Sequence, residues 1–238
     1  MAPGELWIDL NADLGEGVTD DAGLLDVVTS ANVACGFHAG DETVMAQVCA
    51  RAAERGVLVG AQVSYADREG FGRRAMDPTS EVLTGWVADQ VGLLSSLAVA
   101  AGTRVAYVKA HGALYNRIVD DEEQARAVLA GSGELPVLGL PDSVVLRLAS
   151  QAGRTPVGEG FPDRGYSPQG RLLPRSEPGA LVVDGDAVAA NAVALARDPA
   201  ISTVCVHGDS PGAVATAVAV RAALVGAGFV LRSWTDPR

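Results

Sequence analysis

Sulfur-containing and imidazole side chains are scarce in this sequence, which has three cysteines, three methionines and three histidines among its 238 residues. Three cysteines are too few for a framework of several disulfides, and the spacing of Cys35, Cys49 and Cys205 matches no zinc-finger template. We therefore expect reduced thiols that pack in the interior, as is usual in a cytosolic protein.

Positive charge is also in short supply. The 18 lysines and arginines are outnumbered by 29 aspartates and glutamates, which gives a net charge of −11. Such an acidic surface argues against binding to nucleic acid or to anionic membranes. The start of the sequence lacks the basic and apolar segments of a signal peptide, and no run of about 18 apolar residues is free of polar interruption. The sequence thus predicts a cytoplasmic protein without a membrane-spanning helix.

The common nucleotide-binding motifs are missing as well. The segment NADLGEG follows an apolar run but does not match G-x-G-x-x-G, and no G-x-x-x-x-G-K-[ST] segment occurs. We therefore expect no nucleotide site of the common P-loop type in this chain.

The sequence does have a regular alternation of short apolar runs with amphipathic segments. The runs predict strands over Leu6–Leu10, Ala31–Cys35, Leu58–Val63, Val105–Val108, Val137–Leu140, Pro156–Gly158 and Thr203–Val206. Helical spacing predicts helices over Asp41–Arg55, Ser80–Ala101 and Asp142–Ala152. A last long helix is predicted to open with Ser210 at its N-cap and Pro211 at its first position.

Strands that alternate with helices imply parallel pairing in an α/β fold. The composition shows no break along the chain, so we predict a single domain over residues 1–238. Seven strands favour a closed or nearly closed β/α barrel, and a doubly wound open sheet is the alternative.

Polar side chains gather just after the predicted strands. In a parallel α/β fold these strand ends share one face, where ligands bind. All three histidines, His38, His111 and His207, occupy such positions, so we predict an active-site cluster there. The other candidates of this cluster are Asn11, Asp13, Glu16, Arg73, Arg74, Lys109, Tyr115, Asn116, Glu159, Asp163, Arg164 and Asp209.

These residue types suit hydrolysis. A carboxylate such as Asp13 can take a proton from water, while a cation such as Lys109 stabilises a polarised oxygen. A metal-dependent version would use Asp13 and histidines such as His38 as ligands, but H-E-x-x-H and H-x-H are absent. Asp41 fits a helix cap better than a catalytic role.

Six segments together carry a resemblance that covers almost the whole chain. They resemble, in the same order, the motifs of the LamB/YcsF family: DLNADLGEG, TSANVACGFHAGD, GFGRR, VKAHGALYN, DRGYSPQGRLLPR and VCVHGDSPGAV. The resemblance implies a seven-stranded, TIM-like β/α barrel of the glycoside hydrolase/deacetylase type. It also implies ATP-dependent opening of 5-oxoproline to L-glutamate in a complex with two partner subunits, B and C, of a 5-oxoprolinase.

In this interpretation ATP, with Mg²⁺, acts at the level of the complex. The catalytic residues are expected to be Asp13, Glu16, His38, Lys109 and His111. We expect 5-oxoproline to be bound by Asn11, Arg73, Arg74, Tyr115, Asn116, Glu159, Asp163, Arg164, His207 and Asp209. Two other interpretations stay open, a stand-alone metal-dependent amidase or deacetylase and a non-catalytic substrate-binding subunit.

The chain departs from the family pattern at four positions. Gln62 stands where many members have histidine, and Ala12, Ala110 and Pro162 replace cysteine, proline and alanine. Glutamine is a poor metal ligand, so Gln62 weakens the expectation of a bound catalytic metal, whose ligands would otherwise include Asp13 and His38.

Overall fold

The computed structural model describes residues 5–18, 20–208 and 212–235, which form a closed barrel of parallel strands surrounded by helices. The barrel strands are β1 (Trp7–Leu14), β2 (Ser30–Ala34), β3 (Leu58–Val63), β4 (Val105–Ala110), β5 (Val137–Gly139), β6 (Pro156–Gly160) and β7 (Thr203–Val206). A short strand, β8 (Val230–Leu231), pairs with the first residues of β1.

Strand β1 closes the barrel because it pairs with β7 on one side and with β2 on the other. Asp9 lies opposite Thr203 of β7, and Asp13 lies opposite Asn32 of β2. The remaining strands pair in chain order from β2 to β7, all of them parallel. The predicted barrel is confirmed, and the open-sheet alternative is wrong because an open sheet would leave two edges unpaired.

Helices cover the outside of the barrel. In the described part of the chain they are α1 (Asp21–Leu25), α2 (Glu42–Arg55), α3 (Ser80–Ala100), α4 (Gly112–Asp120), α5 (Glu122–Gly131), α6 (Val144–Gln151), α7 (Gly185–Ala196) and α8 (Ala213–Gly226). The predicted α2, α3, α6 and α8 are confirmed, whereas the sequence pattern does not predict the others. Helix α8 begins at Ala213 with Gly212 as its N-cap, and the predicted opening residues Ser210 and Pro211 lie outside the described part of the chain. Asp41 accepts a hydrogen bond from the Val44 N–H at 2.9 Å, so it is the expected cap of α2.

Three strands run further than their apolar stretches predict, because the barrel interior is polar at this end. Strand β1 continues through Asn11 and Asp13, β4 through Lys109, and β6 through Glu159. All four side chains are buried, and Asn11 Nδ2 donates to Glu159 Oε1 at 3.0 Å. Side chains of a barrel strand alternate between the interior and the helix layer, so a polar residue at an inward position continues the strand.

The apolar core lies between the strands and the surrounding helices. Leu10 and Leu14 of β1 belong to the same buried apolar cluster as Met45 of α2 and Leu83 and Leu94 of α3. By length and composition alone, α3 is apolar enough to cross a membrane. In the structure it packs against β3 and α5, which gives its apolar residues a role in the barrel wall.

Candidate functional site

An ion-pair centre lies inside the carboxyl-terminal end of the barrel. Lys109 Nζ lies 3.0 Å from Asp13 Oδ1, 2.9 Å from Glu159 Oε1 and 3.1 Å from Cys205 Sγ. Burial opposes the charged ammonium, but Asp13, Cys205 and Glu159 outweigh this effect and raise the pKa of Lys109 well above its usual range. The centre therefore holds a permanent cation.

The Asp13 carboxyl group is ionised in this setting. Burial raises its pKa, but Lys109 and, more weakly, His207 and His111 lower it, and the net pKa lies below the usual range. Asn32 Nδ2 also donates to this carboxylate, at 2.9 Å. An ionised carboxylate beside a fixed ammonium can orient water and accept its proton while the ammonium stabilises an oxyanion.

Amide and hydroxyl side chains continue this network toward the amino end of the barrel. Asn32 Nδ2 donates to Asn11 Oδ1 at 2.7 Å, and Asn11 Nδ2 donates to Thr203 Oγ1 at 2.6 Å. Asp9 accepts hydrogen bonds from Thr203 and Ser30, but burial is the larger effect and raises the pKa of Asp9 to about 6. Buried polar groups that are satisfied in this way specify one arrangement of the interior.

His38 and His111 form a stacked pair beside the ion-pair centre, with ring centroids 4.0 Å apart. Gln62 joins them, since its Nε2 donates to His111 Nδ1 at 3.0 Å and its Oε1 accepts from His38 Nε2 at 3.2 Å. Gln62 Nε2 also donates to Glu16 Oε1 at 3.1 Å, and His111 Nε2 donates to the Phe71 carbonyl at 3.1 Å. These contacts are mutually consistent when both imidazoles carry their hydrogen on Nε2.

His111 is the neutral ring of this pair that faces the cavity. Burial and the neighbouring His38 ring hold the pKa of His111 well below its usual value. Both ring nitrogens of His111 already have protein partners, so the ring offers the site a face rather than a free donor or acceptor. Glu16 and His38 lie behind His111 and position it through Gln62.

A metal at this place would need the lone pairs of Glu16 Oε1 and His111 Nδ1, both of which accept hydrogen bonds from the Gln62 amide. Glu16, rather than the expected Asp13, is the carboxylate that lies with His38, and His111 completes a group whose ligand atoms lie within 4.8 Å of one another. One carboxylate and two imidazoles suit a divalent ion. However, the Gln62 amide donates to Glu16 and to His111, so these residues do not fit a metal while Gln62 keeps this position.

We expect Gln62→Ala to gain zinc, because it uncovers the three ligand atoms. The wild-type chain should retain little zinc after exposure to excess metal and dialysis, whereas the variant should retain about one equivalent, with water as the fourth ligand. Metal content measured by plasma mass spectrometry checks this, and Gln62→Ala/His38→Ala is the matched control that should lose the gain. A stoichiometric zinc content in the wild-type chain would contradict the assigned role of Gln62.

His207 and Asp163 form a second pair on the other side of the ion-pair centre. His207 Nδ1 lies 2.7 Å from Asp163 Oδ2, and the Phe161 ring stacks on His207 at 5.3 Å between centroids. Burial lowers the pKa of His207, but the charge and hydrogen bond of Asp163 outweigh it, and the net pKa is raised. The Asp163 pKa is lowered, since His207 overcomes the opposing effect of burial.

A cavity of about 580 Å³ opens over the ion-pair centre. The expected site residues that line it are Asp13, Arg73, Lys109, His111, Tyr115, Asn116, Arg164 and His207. The expected residues Glu16, His38, Glu159 and Asp163 lie behind this lining and contact it. Asn11 lies deeper and is joined to the lining through Asn32 and Glu159. Asp209 lies outside the described residues.

The arginines of this region have different surroundings. The buried Arg164 donates to the carbonyls of Ala180 and Leu173, so it fastens the long loop after β6. Arg74 lies 3.5 Å from Asp67 and does not line the cavity. Arg175 lines the cavity, is exposed, and has no ion-pair partner within the described residues. It was not predicted, because an arginine in a long loop has no distinguishing sequence pattern.

A closed barrel whose cavity at the strand ends gathers an ammonium, carboxylates and an imidazole pair belongs to the small-molecule-binding α/β barrels. Within that class, residues 8–238 match the profile of the LamB/YcsF family. The chain belongs to the LamB/YcsF family.

Relatives with known names extend along nearly the whole chain. It is 57% identical to the A subunit of 5-oxoprolinase from Streptomyces coelicolor, over 93% of this chain and 97% of that protein. The lactam utilization protein from Thermus thermophilus is 36% identical and has a TM-score of 0.87, over 96% of this chain and 100% of that one. Peptidoglycan deacetylase PdaC from Bacillus subtilis is 12% identical with a TM-score of 0.54, over 99% of this chain and 91% of that chain, a likeness of fold alone.

Proposed function

We propose that this chain is the A subunit of an ATP-dependent 5-oxoprolinase, which opens the lactam 5-oxoproline to L-glutamate together with subunits B and C. The names of its relatives support the substrate and the existence of partner subunits. The observation that carries the proposal is the Asp13–Lys109 pair, 3.0 Å apart, at the floor of the cavity.

The chemistry of lactam opening matches this pair. A lactam is a stable amide, so its carbonyl oxygen must be polarised before water can attack the ring carbon. Lys109 supplies a fixed positive charge for that oxygen, and Asp13 orients the water and accepts its proton. Burial of both groups strengthens these interactions because little water screens them.

The carboxylate of 5-oxoproline needs a second cationic partner. Arg73 and Arg175 both line the cavity and are exposed at its mouth. Guanidinium groups bind carboxylates through paired hydrogen bonds. We therefore assign the substrate carboxylate to these arginines and the lactam carbonyl oxygen to Lys109.

ATP is assigned to the complex rather than to this cavity. Transfer of a phosphoryl group to the amide oxygen would weaken the resonance of the amide and favour attack by water. The sequence has no P-loop or Rossmann motif to hold a nucleotide. Subunits B and C, with ATP and Mg²⁺, are therefore expected to supply the activation.

The decisive measurement is glutamate release from 5-oxoproline by this chain alone and with subunits B and C, each with and without ATP. We expect release only when both partners and ATP are present. Release by the chain alone with added metal and no ATP would instead support a stand-alone amidase. Binding of 5-oxoproline without any catalytic dependence on Asp13 would support a substrate-binding subunit.

A further inference from the structure

The three histidines differ in which ring nitrogen is available to a ligand. His111 uses Nδ1 for Gln62 and Nε2 for the Phe71 carbonyl. His38 uses Nε2 for Gln62, and its Nδ1 is buried behind the cavity lining. His207 uses only Nδ1, for Asp163, and its Nε2 has no hydrogen bond to any residue that the structure describes. Because His207 also lines the cavity, it offers the substrate an imidazole nitrogen that His38 and His111 do not.

The surroundings of His207 favour its protonated form. Its side chain faces the carboxylates of Asp163 and Asp13 and the guanidinium of Arg175, and the two acids raise its pKa against the effects of the arginine and of burial. An imidazolium donates from both nitrogens, so the contact of Nδ1 with Asp163 leaves the Nε2 proton directed elsewhere. The acid beside His38 and His111 is more distant, because Glu16 Oε1 lies 3.8 Å from His38 Nε2 and 3.6 Å from His111 Nδ1, against 2.7 Å between Asp163 and His207.

Phe161 holds His207 and Lys109 apart. Its ring stacks on His207 with an angle of 22° between the planes, and Lys109 Nζ lies 5.2 Å from the centroid of the same ring. The cavity therefore presents two separate proton-bearing groups, the Lys109 ammonium and the His207 imidazole, whose protonated form the neighbouring acids favour. An amide has two atoms that gain negative charge during hydrolysis, the carbonyl oxygen and the nitrogen, and two separated donors match them.

We propose that His207, oriented by Asp163, is the acid that protonates the ring nitrogen as the lactam C–N bond breaks. The inference rests on the proposed function and adds a role that the ion-pair centre does not fill. An amide anion is too basic to leave unprotonated, whether or not the lactam carbonyl oxygen has first been activated. The reaction therefore requires a group that donates a proton to the ring nitrogen.

The step balances with the groups present. Water adds its oxygen to the ring carbon and gives one proton to Asp13. The electron pair of the C–N bond then moves to nitrogen, which takes the Nε2 proton of His207 and becomes the amine of glutamate. His207 is left neutral and regains a proton from solvent, while Asp13 loses its proton to solvent. When ATP has first phosphorylated the carbonyl oxygen, the same cleavage leaves an acyl phosphate, which a second water converts to the side-chain carboxylate of glutamate and free phosphate.

The first test is His207→Gln in the complete complex with ATP. General acid catalysis contributes about 100- to 10,000-fold, so kcat should fall by that factor while the affinity for 5-oxoproline, measured by calorimetry, changes only a few-fold. Turnover close to the wild-type rate in this variant would overturn the inference. If the wild-type complex itself releases no glutamate, the proposed function fails instead, and the two failures are thereby distinguished.

The second test uses Asp163→Asn, which preserves shape and removes the charge. Because the wild-type pKa of His207 is raised, kcat should fall as pH rises through that pKa, and the variant should move this falling limb to lower pH. An NMR titration of the His207 ring should move in the same direction. Asp186→Asn, an exposed change in α7, is the matched control that should leave both curves in place. An unmoved limb in Asp163→Asn would overturn the inference even if that variant is slow.

Discussion

Lys109→Met is expected to lower the free energy of unfolding by about 3–5 kcal/mol and to abolish glutamate release. The substitution keeps most of the side-chain volume but leaves Asp13 and Glu159 buried without the ammonium that lies within 3.0 Å of each. Removing one partner of a buried ion pair is this costly because the remaining charge is uncompensated. Urea denaturation monitored by circular dichroism measures the loss of stability.

The separate effects on stability and on catalysis can be resolved with a second variant. Lys109→Met/Glu159→Gln removes one of the two stranded carboxylates, so it should recover part of the lost stability but none of the activity. Unchanged stability in Lys109→Met would contradict the assignment of a charged ammonium between the carboxyl groups of Asp13 and Glu159. Lys109 is the only lysine in the sequence, so its protection from amine-directed reagents in the folded protein gives an independent check of its burial.

The strand–helix alternation was readable from the sequence because apolar runs and helical spacing are local signals. The ends of β1, β4 and β6 cannot be predicted from the sequence in the same way. Asp13, Lys109 and Glu159 look like loop residues until their partners are known. Lys109 and Asp13 are far apart in the chain and compensate each other only once the barrel has closed. A single sequence holds no local signal for that compensation.

The sequence predicts the location of the candidate site better than it predicts the roles of the individual residues. The rule that polar residues at parallel strand ends share one face brought together Asp13, Lys109 and His207. The rule does not say which nitrogen of a histidine is free, and that depends on neighbours such as Gln62 and Asp163. In the sequence Gln62 stands out as a departure from the family pattern, but its role depends on contacts that only the fold creates. Its hydrogen bonds to Glu16 and to both rings organise the histidine pair.

Asp13→Asn is expected to reduce kcat by about 100- to 10,000-fold in the complete complex, the range of a lost general base. Asparagine keeps an oxygen that can accept from Asn32 and Lys109, so the barrel should still fold and bind 5-oxoproline. The amide cannot accept a proton from water, and the substitution removes the negative charge of Asp13 from beside Lys109. A variant that loses affinity but keeps its turnover would count against Asp13 as the base.

Asp9→Asn is the matched control for this prediction, because both acids lie on β1 and face the barrel interior. Asp9 lies toward the amino end of the barrel, does not line the cavity, and has its pKa raised by burial to about 6. The Asp9 carboxyl oxygens accept hydrogen bonds from hydroxyl groups, and the raised pKa makes this group easier to protonate than an ordinary aspartate. An uncharged amide is therefore a good substitute for it. The Asp9→Asn variant should therefore keep its turnover, whereas the Asp13→Asn variant should lose it. This difference would show that catalysis needs an ionised carboxylate under the cavity and not simply acidic residues inside the barrel.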